Sequence, residues 1–182
     1  SEKDSRKLLP AIKKSLMKEK QDYTKLLKEH VKIHQALFDR VSFDLHSGDQ
    51  YKIPVSQLIK DAETHKKLSA ALMEKMYDAG RYMLICSAGE LLPNLQGIWS
   101  GTWTPAWSAD FTLDTNVQAA LAAACSANLT ELQEGFFRTI ESYYPEWRIN
   151  ALRMYGCRGV LTNARASNTA LLIHWGDWPG NF

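Results

Sequence analysis

The chain has 182 residues, 45% of them hydrophobic, which is enough for one domain with a sizeable core or for a large part of one. A net charge of +2 gives no support to a nucleic-acid partner, and the lysines are interleaved with acidic residues and apolar periodicity rather than gathered into a basic patch. No long apolar run is present, so the chain as given spans no membrane, and no signal peptide is visible.

Charge and aromaticity are distributed unevenly. All fourteen lysines lie at or before Lys75 and all six tryptophans at or after Trp99. The first part therefore reads as solvated helical surface and the second as packed core and concave surface. In chain order, residues 5–18 read as a first helix, with Pro10 tolerated near its start or at a kink. Residues 20–40 give the clearest helix, with Tyr23, Leu26, Leu27, His30, Val31, His34, Leu37, Phe38 and Val41 recurring at three and four and charges on the other face. His30 and His34 stand at i, i+4, but no HExxH glutamate lies between them. A polar rim on the buried face is the expectation, and no metal site is assigned.

Residues 42–53 predict a small extended excursion and a turn at Ser47-Gly48-Asp49, and residues 54–60 a short helix with Pro54 at its first position. Residues 65–86 read as a helix with Leu68, Leu72, Met76 and Met83 on one face. Gly80 inside it costs about 1 kcal/mol against alanine, and a close helix contact would explain it. Residues 87–114 hold Pro93, Gly97, Gly101, Pro105 and three tryptophans, Trp99, Trp103 and Trp107. A loop so long and aromatic points to function.

Thr115 and Gln118 then predict a capping box for a helix to about Ala127, whose small apolar residues imply burial on all sides. Thr130 and Gln133 predict a second box, with a helix to Tyr144. Pro145 opens a further helix stopping at Gly156, and Ala164 to Ile173 suggests one more. The sum is an all-α domain of at least six helices, mostly antiparallel neighbours, forming a bundle or part of a helical barrel. The cysteines, Cys86, Cys125 and Cys157, form no CxxC or Cys/His array and read as buried free thiols. Asn128-Leu129-Thr130 fits the glycosylation sequon, but Thr130 is expected to serve as a helix cap.

The chemistry concentrates in Trp107 to Gln118, where Asp110, Asp114, Asn116 and Gln118 crowd the entry to a helix, with tryptophans just upstream. Carboxylates and amides beside aromatic faces suit a sugar, whose hydroxyls need directional hydrogen bonds and whose C–H face packs on a ring. Glycoside hydrolysis by inversion needs an acid and a base that activates water across the ring. The competing reading is structural: Asp114 or Thr115 caps a helix, Asn116 satisfies backbone groups and the tryptophans are core.

Gly80-Arg81-Tyr82-Met83-Leu84-Ile85, Leu92-Pro93-Asn94-Leu95-Gln96-Gly97-Ile98-Trp99, Pro105-Ala106-Trp107-Ser108-Ala109-Asp110-Phe111 and Asn116-Val117-Gln118 resemble, in order, the GRYLLI, LPANLQGIW, PPWDSDYH and NINLQ segments of glycoside hydrolase family 95, the inverting α-L-fucosidases and their relatives. His30 to Leu45 resembles that family's first barrel helix, and Tyr155-Gly156-Cys157-Arg158-Gly159 its YGxRG turn. The resemblance implies an (α/α)6 barrel, with residues 1–182 as one domain that is an N-terminal piece of it. It also implies a glycan or oligosaccharide as partner, the remainder of the barrel as the other, no cofactor, and a secreted, periplasmic or cell-surface location in a bacterium.

In the family, the two asparagines of NINLQ hold the attacking water, aided by a remote aspartate, and a remote glutamate is the acid. Asn116 matches the second asparagine, while the first falls on Asp114 and a sugar-contacting histidine on Thr112. The HHNTD segment falls near Asn163 to Ser167 and is not preserved. The resemblance thus assigns catalysis to Asp114 and Asn116 and sugar contact to Gln96, Trp99, Trp107, Asp110, Thr112 and Gln118. Because the departures fall on chemistry while the framework is kept, the expectation is activity on a sugar other than fucose, with Asp114 a stronger base than an amide. The alternative is an inactive carbohydrate-binding or structural domain, or a helical module whose tryptophans meet a protein.

Overall fold

Periodicity at three and four is realised as helix along most of the chain. The computed structural model describes residues 2–18 and 22–172. Among them are six α-helices: α1 (Glu2–Lys18), α2 (Tyr23–Phe38), α3 (Val55–His65), α4 (Ala70–Ser87), α5 (Asn116–Leu121) and α6 (Glu134–Tyr155). Short 3-10 turns lie at Gly48–Lys52, Ala106–Ala109 and Thr130–Gln133, and two-residue strands β1 (Phe111–Thr112) and β2 (Arg165–Ala166) pair antiparallel. The fold class is all-α, as expected. The chain divides into two units between Ala36 and Leu37.

In the first unit α1 carries Pro10 within the helix. α2 falls within the expected 20–40, running from Tyr23 to Phe38, but has no buried residue. Tyr23, Leu26, Leu27 and Val31, expected on a buried face, are exposed. Amphipathic spacing specifies a face that wants a cover, not the cover itself. His30 and His34 lie with ring centroids 5.7 Å apart.

The second unit begins with a stretch that forms no strand and enters the Gly48–Lys52 turn. α3 starts just after Pro54 and ends at Lys66, in the left-handed region. α4 begins at Ala70 rather than 65, because the Ser69 side chain accepts from the Leu72 N–H at 3.2 Å and starts a new helix there. Leu68 is left outside it and exposed. Leu58 of α3 buries against Ala71 and Leu72 of α4, forming a small hairpin core.

The proposed reason for Gly80 is not found, since an added Cβ there meets nothing within 4 Å. The close approach belongs to Gly135, where a Cβ would stand 2.4 Å from the Gly89 carbonyl oxygen. The neighbouring Arg81 is buried and donates to the carbonyls of Phe38 (2.9 Å), Leu37 (2.6 Å) and Ala127 (2.6 Å), fastening three backbone segments. Buried Glu74 accepts from the Leu45 N–H (2.6 Å), the Ser47 N–H (3.3 Å) and the Ser47 hydroxyl. The hydroxyl bond, followed by the backbone N–H groups, holds its carboxyl below the usual range against the opposing effect of burial.

α5 is shorter and less covered than expected. It ends at Leu121, after which bonds tighten to three-residue spacing, as from Ala124 N–H to the Leu121 carbonyl at 3.0 Å, and the Gln133 amide takes that same carbonyl at 3.4 Å. Val117, Leu121 and Ala124 are buried while Ala119, Ala120, Ala122 and Ala123 are exposed. Thr130 does not cap α6; it opens a 3-10 turn, and the helix starts at Glu134.

α6 runs unbroken through Pro145 to Gly156, which closes it at φ +64°. The bond that Pro145 cannot donate belongs to the carbonyl of Glu141, an exposed residue that water can satisfy, while Tyr143 and Trp147 anchor the helix on either side. The cysteines are free, but Cys125 and Cys157 are exposed and Cys86 is only partly buried.

The segment from Ala164 forms no helix within the described residues. Side chains of α6 satisfy its backbone instead. The Asn150 amide donates to the Leu161 (3.3 Å) and Ala170 (2.8 Å) carbonyls and accepts from the Leu172 N–H (3.0 Å). Glu146 accepts from Thr169 (2.9 Å) and from the Ala170 N–H, and the Tyr143 hydroxyl donates to the Ser167 carbonyl. Partners at this spacing hold an extended chain against one helix face and remove the need for internal helical bonds. The main core lies here, with Leu92, Leu113, Val117, Leu121, Tyr143 and Trp147 packed around Ala166 and Ala170. Each fully buried large apolar side chain contributes about 1.5–3 kcal/mol.

Candidate active site

The Trp-rich loop is folded back on itself by its own polar groups. Asn94 and Gly97 pair across a tight turn, and Asn94 Oδ1 accepts from the Gln96 N–H at 2.8 Å. Gly97, at φ +67°, is required: a Cβ there would lie 2.9 Å from the Trp99 ring. The Leu95 N–H donates to the Asp110 carbonyl (3.2 Å), and Gln96 Nε2 to that of Ala106 (2.7 Å), so 95–96 and 106–110 run side by side. Gln96 Oε1 is buried without a hydrogen-bond partner among the described residues.

Between these tethers the backbone is strained. Trp107, Ser108 and Ala109 have φ of 57°, 58° and 50°, three successive non-glycine residues in the left-handed region, each costing of order 1–3 kcal/mol. Arg165 holds them. The register of β1 and β2 sets Arg165 opposite Thr112. Its Nε donates to Asp110 Oδ2, its Nη2 donates to the Trp107 carbonyl at 2.9 Å, and its guanidinium lies 5.7 Å from the Trp107 ring centroid. Thr112 Oγ1 donates to the other Asp110 oxygen at 2.7 Å. Asp110 is thus a buried carboxylate with partners on both oxygens. Leu113 N–H extends the strand pairing to the Ala164 carbonyl at 2.7 Å.

Beyond Leu113 the chain emerges at Asp114, Thr115 and Asn116, all exposed, and Thr115 has φ +106°. Gln118 spends its amide on the backbone, accepting from the Thr115 N–H (3.1 Å) and donating to the Leu113 carbonyl (2.7 Å). The capping-box expectation is met at that end, and the outcome is to present Asp114 and Asn116 at the mouth of α5. Trp99 and Trp107 are half to two-thirds exposed and Trp103 fully so, which removes them from the core; among the described residues Trp147 is the buried tryptophan.

Sequence reasoning missed Arg165. The only signal was a single cation within Asn163 to Ser167, where the resemblance sets the HHNTD segment, and nothing local ties it to Asp110. It also missed Asn163, buried beneath the site, whose Oδ1 accepts from Trp147 Nε1 at 3.1 Å and whose amide donates to the Arg165 carbonyl. Beside the loop, a cleft of 420 Å³ is lined by residues including Leu92, Asn94, Gly97, Phe111 and Tyr143.

Comparison with known proteins places the sequence in a family. The model of the glycosyl hydrolase family 95 catalytic domain matches residues 22–178. Alpha-L-fucosidase 2 of Arabidopsis thaliana is 30% identical over 173 residues, covering 88% of this chain and 20% of that protein. A probable alpha-fucosidase A of Aspergillus oryzae is 31% identical over 148 residues, covering 79% of this chain and 20% of its own length, and one of Aspergillus niger is 28% identical over 174 residues, covering 88% and 21%. The chain therefore spans about a fifth of the length of these relatives. It belongs to glycosyl hydrolase family 95, as part of that family's (α/α)6 catalytic domain.

Proposed function

We propose that this chain supplies one wall of the active site of a larger inverting glycosidase that removes a terminal sugar from a glycan or polysaccharide. The observation that carries the reading is the exposed pair Asp114 and Asn116 flanking strained Thr115 at the start of α5, within the matched catalytic domain. Strain that surrounding structure maintains at a polar, solvent-open position is the physical mark of a site rather than of packing.

In this mechanism the Asp114 carboxylate takes a proton from water as that water attacks the anomeric carbon, and the Asn116 amide fixes the water's orientation. Trp99 and Trp107 offer faces to the sugar's C–H surface. Gln96, Asp110, Thr112 and Gln118 form the wall behind, with much of their hydrogen bonding spent on shaping it. The acid that protonates the leaving oxygen comes from the rest of the barrel, which also covers the exposed alanines of α5. The sugar differs from fucose, because Asp114 and Thr112 stand where the family's asparagine and histidine are expected. A glycan substrate fits a secreted, periplasmic or cell-surface protein, and no helix among the described residues is long and apolar enough to cross a membrane.

The test is hydrolysis by the complete protein across a panel of α- and β-aryl glycosides that includes the α-L-fucoside. Asp114→Ala should lower kcat by roughly a hundredfold or more, the usual range for loss of a general base. Unchanged turnover on the best substrate would sink the assignment, and saturable glycan binding without any turnover would favour the non-catalytic alternative.

A further inference from the structure

We propose that Arg165 is a positioning residue of this site, acting through Asp110 and Trp107 to hold the Trp107 ring as the sugar platform. The inference rests on the glycosidase reading above. The geometry points to it in three ways. Among the described residues, Arg165 is the one side chain that reaches both the Trp107 carbonyl, at 2.9 Å, and the Asp110 carboxylate that ends the strained turn. Its guanidinium faces the Trp107 ring at 5.7 Å, where a cation and an aromatic face attract. It also stands on a strand whose register is pinned independently, by pairing with Phe111 and Thr112 and by Asn163 beneath its carbonyl.

The turn has no glycine to relieve it: Trp107, Ser108 and Ala109 all carry positive φ. On one side Gln96 fixes the Ala106 carbonyl; on the other Arg165 fixes the next one. Removing the Arg165 donor frees the carbonyl and the ring face together, so the exposed indole loses its defined orientation while Asp114 and Asn116, beyond the strand pairing, keep theirs. A platform acts on substrate binding more than on proton transfer. Arg165 is therefore expected to govern KM, and not kcat.

The experiment compares Arg165→Met, Trp107→Ala and the double variant in the complete protein, using the best glycoside. Arg165→Met should raise KM roughly tenfold with kcat nearly unchanged, the signature of lost uniform binding. Trp107→Ala should do the same, and the double variant should be no worse than the single ones, because both remove one device. A fall in kcat as large as the rise in KM, or additive effects in the double variant, would overturn the proposal.

A second readout needs no turnover. Acrylamide quenching of the Trp107 emission, taken as the difference between the native protein and Trp107→Phe, should change in Arg165→Met, and Arg165→Lys should restore it only in part because lysine lacks the planar fork. An unchanged quenching difference overturns the clamp even if hydrolysis is confirmed. A changed one upholds the clamp even if no glycoside is cleaved, in which case the glycosidase reading fails separately. Should Arg165→Met not fold, Arg165→Gln, which keeps a polar end but loses the charge and the fork, carries the same comparison.

Discussion

Glu74 and Asp110 are both buried carboxylates, and they are held in opposite ways. Glu74 is surrounded by neutral donors from one short stretch, the Leu45 and Ser47 N–H groups and the Ser47 hydroxyl. Its charge fixes the path of the chain into the Gly48–Lys52 turn and does nothing visible at the surface. Asp110 is paired with a cation 55 residues away, and that cation also holds a strained turn carrying an exposed indole. A carboxylate that gathers the N–H and hydroxyl groups of one short stretch specifies that stretch's path, whereas one paired with a charged side chain that also holds a second segment specifies the relative placement of surface groups. The second arrangement is the one a binding site requires.

That contrast can be broken by substitution. Asp110→Ala leaves the Arg165 guanidinium without its carboxylate and should cost about 2–3 kcal/mol, below the range for a wholly buried pair because the Arg165 side chain is 29% exposed. Urea unfolding measures it, and a loss below about 0.5 kcal/mol would place the pair among ordinary surface bridges. Glu74 should show itself through pH instead. Its folded-state carboxyl titrates below the ordinary value of 4.5, so the stability it contributes is complete above that value and is lost as pH falls through the lower folded one. Glu74→Gln should therefore flatten the acid limb of the stability curve below about pH 4.5. An acid limb identical to that of the native protein would show that the Ser47 and Leu45 bonds do not select the charged form.

The smallest expected effect is a control outside both sites. Gly80 lies inside α4 with nothing within 4 Å of an added Cβ, so Gly80→Ala should stabilise by about 0.5–1 kcal/mol. Destabilisation there in the complete protein would mean that another part of the barrel approaches this face.

Most helices were legible because their information is local: spacing at three and four, Gly156 as a stop, Gln118 returning to the Thr115 N–H. The errors share a cause. The apolar spacing at Leu68 and Leu72 runs across Ser69 and hides it as a start, and Pro145 reads as the opening of a new helix although the bond it loses falls on the helix's exposed side. The segment from Ala164 has helical composition, yet Glu146 and Asn150 of α6 claim its backbone groups. Such claims come from another element and leave no local mark. The candidate site was legible as a loop and as a set of residue types. Its clamp was not, because Asp110 and Arg165 meet only through strand register.

The central claim is that Asp114 is the base of an inverting hydrolysis, and proton NMR of the first-formed sugar tests it most directly. The complete protein and its Asp114→Ala variant would be given the same glycoside. The account predicts that the native protein releases the anomer opposite to that of the substrate and that the variant releases none above background. Release of the retained anomer, or inversion continuing undiminished without Asp114, would contradict it.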